Sequence, residues 1–125
     1  MLTGIVSARR EAILRLTVRG TNGQEHEFDS VVDTGYDGWL PLPPSVIDSL
    51  GFRRQRFGYA TLADGSESVF NVYEGVVFWD GQSMTRDVDE MDADSLVGMS
   101  LMYGYELVLP VVDGATFTLR RIGTS

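Results

Sequence analysis

The segment from residue 31 to residue 40 reads Val31-Val32-Asp33-Thr34-Gly35-Tyr36-Asp37-Gly38-Trp39-Leu40. It begins with residues typical of a buried strand and continues with residues typical of a tight turn. A carboxylate at the end of a buried strand is unfavourable unless it accepts hydrogen bonds, and Gly35 lets the backbone turn and donate its N–H to Asp33. The segment therefore predicts a hydrogen-bonded carboxylate at Asp33, although the tripeptide alone can also be an ordinary turn.

The composition excludes most other catalytic chemistry. The 125 residues include 10 Arg, 18 Asp or Glu and one His, with no Lys and no Cys. Without Cys there is no thiol nucleophile, disulfide or Cys-based zinc site, and without Lys there is no Schiff base or P-loop lysine. His26 alone cannot form a multi-His metal site, and its alternating context favours an ordinary strand residue. Carboxylates remain as the candidate catalytic groups.

The charge and length limit the partners and the organisation. A net charge of −8 argues against nucleic-acid and membrane partners, because both kinds of binding depend on Lys and Arg. The first six residues lack the pattern of a secretory signal, and Gly, Ser and Glu residues interrupt the longest apolar tract, residues 96–110. We therefore expect a cytoplasmic protein folded as a single domain over residues 1–125.

Alternating apolar and polar residues predict an all-β fold. Predicted strands cover residues 12–19, 25–32, 56–62 and 68–79. Further hairpins are expected at Asp80-Gly81 and at Asp113-Gly114, the latter between residues 106–112 and 115–122. Residues 45–50 form the clearest predicted helix, since Pro43-Pro44 precede them and Gly51 follows. Frequent turns and only one or two short helices indicate a small sandwich or barrel.

Five acidic residues lie close together in the second half of the chain: Asp87, Asp89, Glu90, Asp92 and Asp94. Alternate carboxylates could converge on a calcium ion, which would make the protein a metal-binding β-domain. An EF-hand loop, however, requires an oxygen ligand and then Gly where this chain has Met91 and Asp92. A solvated acidic loop is therefore the favoured interpretation.

The order of these parts resembles the retropepsin-like aspartic proteases, most closely their small bacterial members with an Asp-Thr-Gly-Phe motif. An apolar strand leads into Asp33-Thr34-Gly35, and a short helix and a hairpin follow. The segment Leu96-Val97-Gly98, a second short helix and a closing hairpin complete the order. The resemblance covers residues 13–122 and implies an acid-protease fold, an all-β closed barrel with one or two short helices.

The resemblance also implies roles for individual residues. Asp33 would be the catalytic aspartate, Thr34 would hydrogen-bond across a pair of active-site loops, and Gly35 would shape the loop and contact substrate. Asp37 would fix the loop or bind the substrate main chain. The remaining substrate-binding residues would form the tip of a flap over the cleft: Ala63, Asp64, Gly65 and Ser66. Leu96, Val97 and Gly98 would pack beneath the loop.

The implied activity is that of an aspartic endopeptidase acting on peptide or protein substrates without a metal or cofactor. Such an enzyme needs two carboxylates that share one proton, and this chain has one motif, so a homodimer is implied. The alternative is a non-proteolytic peptide-binding or dimerisation module on the same fold. The terminal segments, residues 2–6 and 117–122, could pair between subunits or within one chain.

Two departures from the family pattern bear on the loop. Retroviral members have an Arg after the apolar-apolar-Gly segment, where this chain has Met99 and Ser100. Asp37 therefore needs another partner, for which the candidates are Arg53, Arg54 and Arg56. Tyr36 replaces the small residue of the viral enzymes and could restrict the cleft.

Overall fold

A computed structural model describes residues 1–123 of the chain. The strands of this part are β1 (Leu2–Val6), β2 (Ala12–Arg19), β3 (Glu25–Val32), β4 (Leu40–Leu42), β5 (Arg53–Thr61), β6 (Glu67–Trp79), β7 (Gln82–Glu90), β8 (Leu96–Val97), β9 (Tyr105–Val108) and β10 (Thr116–Arg121). The helices are α1 (Pro44–Leu50) and α2 (Met99–Met102). Over residues 1–123, neither helix is long and apolar enough to cross a membrane.

The strands form one curled, half-barrel sheet. Its main path runs β4-β7-β6-β2-β1-β10-β9, while β3 pairs with β2 and β8, and β5 pairs with β6. The β3–β8 and β4–β7 pairs are parallel, and the others are antiparallel. The expected all-β fold with one or two short helices is confirmed.

The core follows the alternation of the sequence. Leu14, Leu16 and Val18 of β2 are buried, whereas Arg15 on the opposite face of that strand is exposed. Helix α1 adds Ile47 and Leu50 to the same core. Burial of the apolar face of each strand is the main favourable term in holding the curled sheet together.

The predicted helix is confirmed as α1. Pro43 and Pro44 stand at its start, where the first N–H groups have no partner inside a helix, so the absence of a proline N–H has no cost there. The helix ends at Leu50, and the N–H of Gly51 donates to the carbonyl of Ile47. Along the chain, α1 lies between β4 and the β5–β6 hairpin.

The predicted acidic loop is wrong over residues 87–90, which belong to β7. Residues 82–89 of β7 pair with β6, and residues 88–90 pair with β4. Three acidic side chains of β7 accept hydrogen bonds: Asp87 from Arg56, Asp89 from Tyr36 and Glu90 from Asn71. Within the described chain, no group of three or more metal-ligating side chains is arranged to hold an ion, so the calcium interpretation gains no support.

The closing hairpin differs from the predicted two-residue turn. Strand β9 ends at Val108 and β10 begins at Thr116, so residues 109–115 form a longer loop. The predicted turn at Asp113-Gly114 is present within this loop, because the N–H of Ala115 donates to the Val112 carbonyl at 3.0 Å. Gly114 and Ala115 are also held by backbone hydrogen bonds to Val6, at the end of β1. Strands β1 and β10 pair with each other within the chain, which is one of the two arrangements expected for the termini.

Candidate active site around Asp33

Asp33 is positioned by two parallel strands. Val32 at the end of β3 lies opposite Val97 of β8, and the N–H of Asp33 donates to the carbonyl of Val97 at 3.0 Å. Just before this point, the hydroxyls of Ser30 and Ser95 form a buried hydrogen bond of 2.6 Å. The pairing of β3 with β8 therefore holds the backbone of Asp33 in place before the turn begins.

The turn after β3 fixes the carboxylate of Asp33. The N–H of Gly35 donates to Asp33 Oδ1 at 2.8 Å, and the N–H of Tyr36 donates to the Asp33 carbonyl at 3.2 Å. Asp33 is half-buried, whereas Thr34 and Gly35 are exposed. The predicted hydrogen bond between Gly35 and Asp33 is confirmed, and the carboxylate is available at the surface of this single chain for chemistry or for contact with another chain.

The start of α2 anchors the loop. The N–H of Met99 donates to the Tyr36 carbonyl at 2.8 Å, and the N–H of Ser100 donates to the Gly38 carbonyl at 3.2 Å. The Ser100 hydroxyl donates to the Asp37 carbonyl at 2.6 Å. Sequence reasoning missed Ser100, although its place after Leu96-Val97-Gly98 was the available signal.

The expected ion pair of Asp37 is not formed. Asp37 is exposed, and none of the salt bridges among residues 1–123 includes it. Arg56 pairs with Asp87 at 2.6 Å, and Arg54 lies over the ring of Phe57. The loop is thus held through its backbone, which explains how it is fixed without the arginine of the retroviral pattern.

Gly98 allows the loop to approach β8 closely. A Cβ atom at this position would lie 2.1 Å from the Gly38 carbonyl oxygen and 2.7 Å from a ring carbon of Tyr36. Both distances are well inside van der Waals contact, and one of the atoms is backbone. The predicted packing of the Leu96-Val97-Gly98 segment beneath the loop is confirmed at Gly98.

Tyr36 makes a contact that sequence reasoning missed. Its hydroxyl donates to a carboxylate oxygen of Asp89 on β7, and both residues are half-buried. Burial raises the pKa of Asp89, which the Tyr36 hydrogen bond partly offsets. Burial and this hydrogen bond together raise the pKa of Tyr36 well above its usual value. The hydrogen bond from the Tyr36 hydroxyl connects the loop to strand β7 of the sheet.

The hairpin β5–β6 ends in the predicted tight turn. The N–H of Leu62 donates to the Ser66 carbonyl at 2.7 Å, and Gly65 has a φ of 86°, a conformation that favours glycine. The hydroxyl and the N–H of Ser66 both donate to Asp64, and they lower the pKa of that carboxyl group. Ala63, Asp64, Gly65 and Ser66 are all exposed at this tip, and their contact with substrate stays a prediction.

An open apolar hollow of about 580 Å³ reaches the candidate site at Thr34. Its lining includes Met99 and Tyr103, next to the loop anchor, and Tyr105 and Leu107 of β9. It contains Thr34 but no other residue predicted to be catalytic or to bind substrate. The hollow therefore lies beside the Asp33-Thr34-Gly35 motif and is not a cleft centred on Asp33.

The chain resembles two solved structures in fold. The EIAV protease, solved with the inhibitor HBY-793, superimposes with a TM-score of 0.55 at 17% identity, over 79% of this chain and 93% of that chain. A retropepsin-like aspartic protease from Rickettsia conorii superimposes with a TM-score of 0.51 at 18% identity, over 94% and 88%. No protein-family model and no curated protein sequence matches the chain. The curled β-sheet that carries Asp33 on a loop held by β8 and α2 is thus the retropepsin-like aspartic protease fold.

Proposed function

We propose that two copies of this chain form an aspartic endopeptidase, with Asp33 of each copy at the shared active site. The observation that carries the proposal is the hydrogen bond from the Gly35 N–H to Asp33 Oδ1, on a loop held by β8 in a retropepsin-like fold. The sequence contains one Asp-Thr-Gly motif, so the second carboxylate has to come from a second copy.

The mechanism uses two carboxyl groups that share one proton. The ionised group accepts a proton from water, whose oxygen adds to the carbonyl carbon of the scissile peptide bond. The protonated group donates to the carbonyl oxygen and stabilises the developing negative charge. The C–N bond then breaks, the nitrogen leaves with a proton as an amine, and a carboxylic acid remains. These steps are complete without a metal or cofactor.

The other site residues position the substrate in this proposal. Thr34 hydrogen-bonds across the two loops, Gly35 contacts the substrate backbone, and Asp37 binds its main chain. The hairpin tip, residues 63–66, closes over a peptide held in extended form and excludes water, as mobile lids do in other enzymes.

The test is cleavage of a diverse peptide library by purified protein between mildly acid and neutral pH. We expect pepstatin-sensitive cleavage by the unaltered chain and a loss of about 10²- to 10⁴-fold in rate for Asp33→Asn. Asp48→Asn serves as the matched control, because Asp48 is an exposed carboxylate on α1. Equal cleavage by Asp33→Asn and the unaltered chain would contradict the proposal, and peptide binding without cleavage would favour the non-proteolytic module.

A further inference from the structure

A second hollow, of about 410 Å³, lies next to the first and reaches β7. The two hollows share Trp39, Tyr103 and Tyr105 in their linings. Trp79 and Arg86 line only the second of them, and neither residue has a part in the proposed mechanism. The volume of this second hollow is in the range of sites that bind small molecules.

Arg86 is a cation on the inward face of the sheet. Met84 and Val88, two positions before and after it on β7, belong to the core or pack against it, and strand alternation puts Arg86 on the same face. Arg86 is half-buried, and none of the salt bridges among residues 1–123 includes it. Its guanidinium lies 5.0 Å from the centre of the Trp39 ring. The positive charge is therefore partly removed from water without an anion beside it, which is unfavourable.

The hydrogen bonds of the Arg86 guanidinium leave one of its edges open. Nη1 donates to the carbonyl of Thr85 at 2.8 Å, and Nη2 contacts the sulfur of Met84 at 3.4 Å. A thioether is a weak acceptor, and the buried Nε has no acceptor among the described residues. A carboxylate binds the edge formed by Nε and Nη2 through two parallel hydrogen bonds. Met84 also lines the hollow, and its flexible side chain can move aside for a stronger acceptor.

Trp79 supplies a second donor without an acceptor. It is 3% exposed, and its indole N–H has no hydrogen-bond partner in the described part of the chain. A buried indole N–H usually has such a partner. Trp79 lies opposite Gln82 of β7, four residues from Arg86, so the two donors stand at different points along the hairpin. A ligand that serves both donors therefore needs an acceptor group at each end.

We propose that this hollow binds a small aromatic acid, with its carboxylate on Arg86 and an oxygen acceptor at its other end near Trp79. The aromatic side chains of Trp39 and Tyr105 line the hollow and favour a flat apolar body between the two polar ends. The site is independent of the proposed function, because none of its lining residues is a candidate catalytic or substrate-binding residue.

The charges around the hollow favour a monoanion over a phosphate or another polyanion. Arg121, the other cation of the lining, lies 6.0 Å from the centre of the Tyr105 ring. The hydroxyl of Tyr105 donates to Asp80 at 2.8 Å, so a carboxylate of the chain already lies near the charge of Arg121. Arg86 alone then remains to hold an anion, and the net charge of −8 repels ligands with more negative charge.

Tryptophan signals test the proposal without a label, because the two tryptophans of the sequence both line the hollow. The full chain is titrated with para-acetylbenzoate, whose carboxylate and ketone match the two donors. Fluorescence and the indole N–H signals in proton–nitrogen NMR spectra are followed. We expect saturable binding, with the Trp79 indole proton moving to lower field as its N–H gains an acceptor. The Trp39→Phe variant, measured without ligand, assigns the remaining indole signal to Trp79.

Two analogues test the two ends of the ligand separately. The amide para-acetylbenzamide keeps the ketone and has no charge, and we expect it to bind about tenfold more weakly or worse, since hydrogen bonds between charged partners are the stronger ones. The acid para-isopropylbenzoate keeps the carboxylate and replaces the ketone with an apolar group of the same shape. We expect it to leave the Trp79 indole proton near its position in the free protein.

A variant of the chain tests the assigned cation. Arg86→Gln should weaken the binding of para-acetylbenzoate about tenfold or more. Arg54→Gln is the matched control, because Arg54 also lies over an aromatic ring, that of Phe57, and is outside the hollow. Circular dichroism establishes that each variant is folded. If Arg86→Gln does not fold, the comparison of the acid with the amide on the unaltered chain decides.

The outcomes that would overturn the proposal are distinct from those that bear on proteolysis. Absence of saturable binding at millimolar para-acetylbenzoate would show that only water meets the two donors. Equal affinities for the acid and the amide, or equal affinities of Arg86→Gln and Arg54→Gln for the acid, would also overturn it. All of these readouts report binding, so neither the presence nor the absence of peptide cleavage changes them.

Discussion

The hydroxyl of Tyr36 donates to the carboxylate of Asp89, which joins the loop after Asp33 to strand β7. Tyr36 also donates its N–H to the Asp33 carbonyl and accepts the N–H of Met99 at its own carbonyl. One residue therefore connects the candidate catalytic turn, the start of α2 and the sheet. Because Asp89 lies opposite Val72 of β6, the connection extends to the longer arm of the β5–β6 hairpin.

Removal of the Tyr36 hydroxyl should destabilise the protein. Tyr36→Phe leaves a half-buried carboxylate at Asp89 without this donor, and we expect a loss of about 1–2 kcal/mol in the free energy of unfolding, measured with urea. Tyr59→Phe is the matched control, since Tyr59 is an exposed tyrosine on β5. Equal stability of Tyr36→Phe and Tyr59→Phe would show that the hydrogen bond contributes nothing.

The stability contribution of Asp89 should depend on pH. Burial raises its pKa in the folded protein above the ordinary value of 3.8, so the folded state binds the proton more readily than the unfolded state. Stability from this group is present below its unfolded pKa and is lost as the pH rises through the folded pKa. Asp89→Asn should therefore gain stability relative to the unaltered chain as the pH rises above 3.8 through the folded pKa.

This comparison needs a control for the loss of one negative charge, which Asp48→Asn on α1 provides. Both variants and the unaltered chain are unfolded with urea at a series of pH values. A stability difference for Asp89→Asn that shrinks or stays constant as the pH rises would contradict the assigned direction.

Substitution of Gly98 should be severe. In Gly98→Ala the new Cβ would lie 2.1 Å from the Gly38 carbonyl oxygen, so the backbone of the loop has to move. We expect a loss of about 2–3 kcal/mol or more in thermal or urea unfolding, together with loss of any Asp33-dependent cleavage. Ser100→Ala removes only one hydrogen bond to the same loop and should cost about 0.5–1.5 kcal/mol. Similar losses for both variants would contradict the close approach.

The buried hydrogen bond between Ser30 and Ser95 should show strong coupling. Ser30→Ala leaves the Ser95 hydroxyl buried without this partner, which should cost about 1–3 kcal/mol. The double variant Ser30→Ala with Ser95→Ala removes both polar groups and should cost less than the sum of the single variants. Additive losses in urea unfolding would indicate that the two hydroxyls do not interact.

Dimerisation of the chain should strengthen with salt. Each copy carries a net charge of −8, so two copies repel each other. Raising NaCl from about 0.05 M to about 0.5 M shortens the screening length and should lower the dissociation constant several-fold. Sedimentation equilibrium measures the effect, and a dimer that weakens with salt would indicate an interface built on ion pairs.

Local patterns predicted the elements that depend on neighbouring residues. The alternation of β2 and β3 and the proline and glycine around α1 were sufficient, because side-chain period and backbone freedom are properties of a few adjacent residues. The hairpin predicted at Asp80-Gly81 is confirmed by the pairing of β6 with β7, but the acidic second part of β7, residues 87–90, was missed for the opposite reason. In the sequence its acidic residues look like a solvated loop. Only the fold brings their hydrogen-bond donors, Arg56, Tyr36 and Asn71, into contact with them from other segments.

The sequence alone was enough to predict the turn of Asp33 with Gly35 and the tight tip at Asp64 and Ser66, whose hydrogen bonds join residues two positions apart. The tertiary structure alone decided what holds that turn in place. Asp89 meets Tyr36 across 53 positions, and Ser100 meets Asp37 across 63 positions. It also paired β1 with β10 and left β9 with a free edge. No local pattern encodes such contacts, because they exist only once the sheet has curled and brought distant segments together.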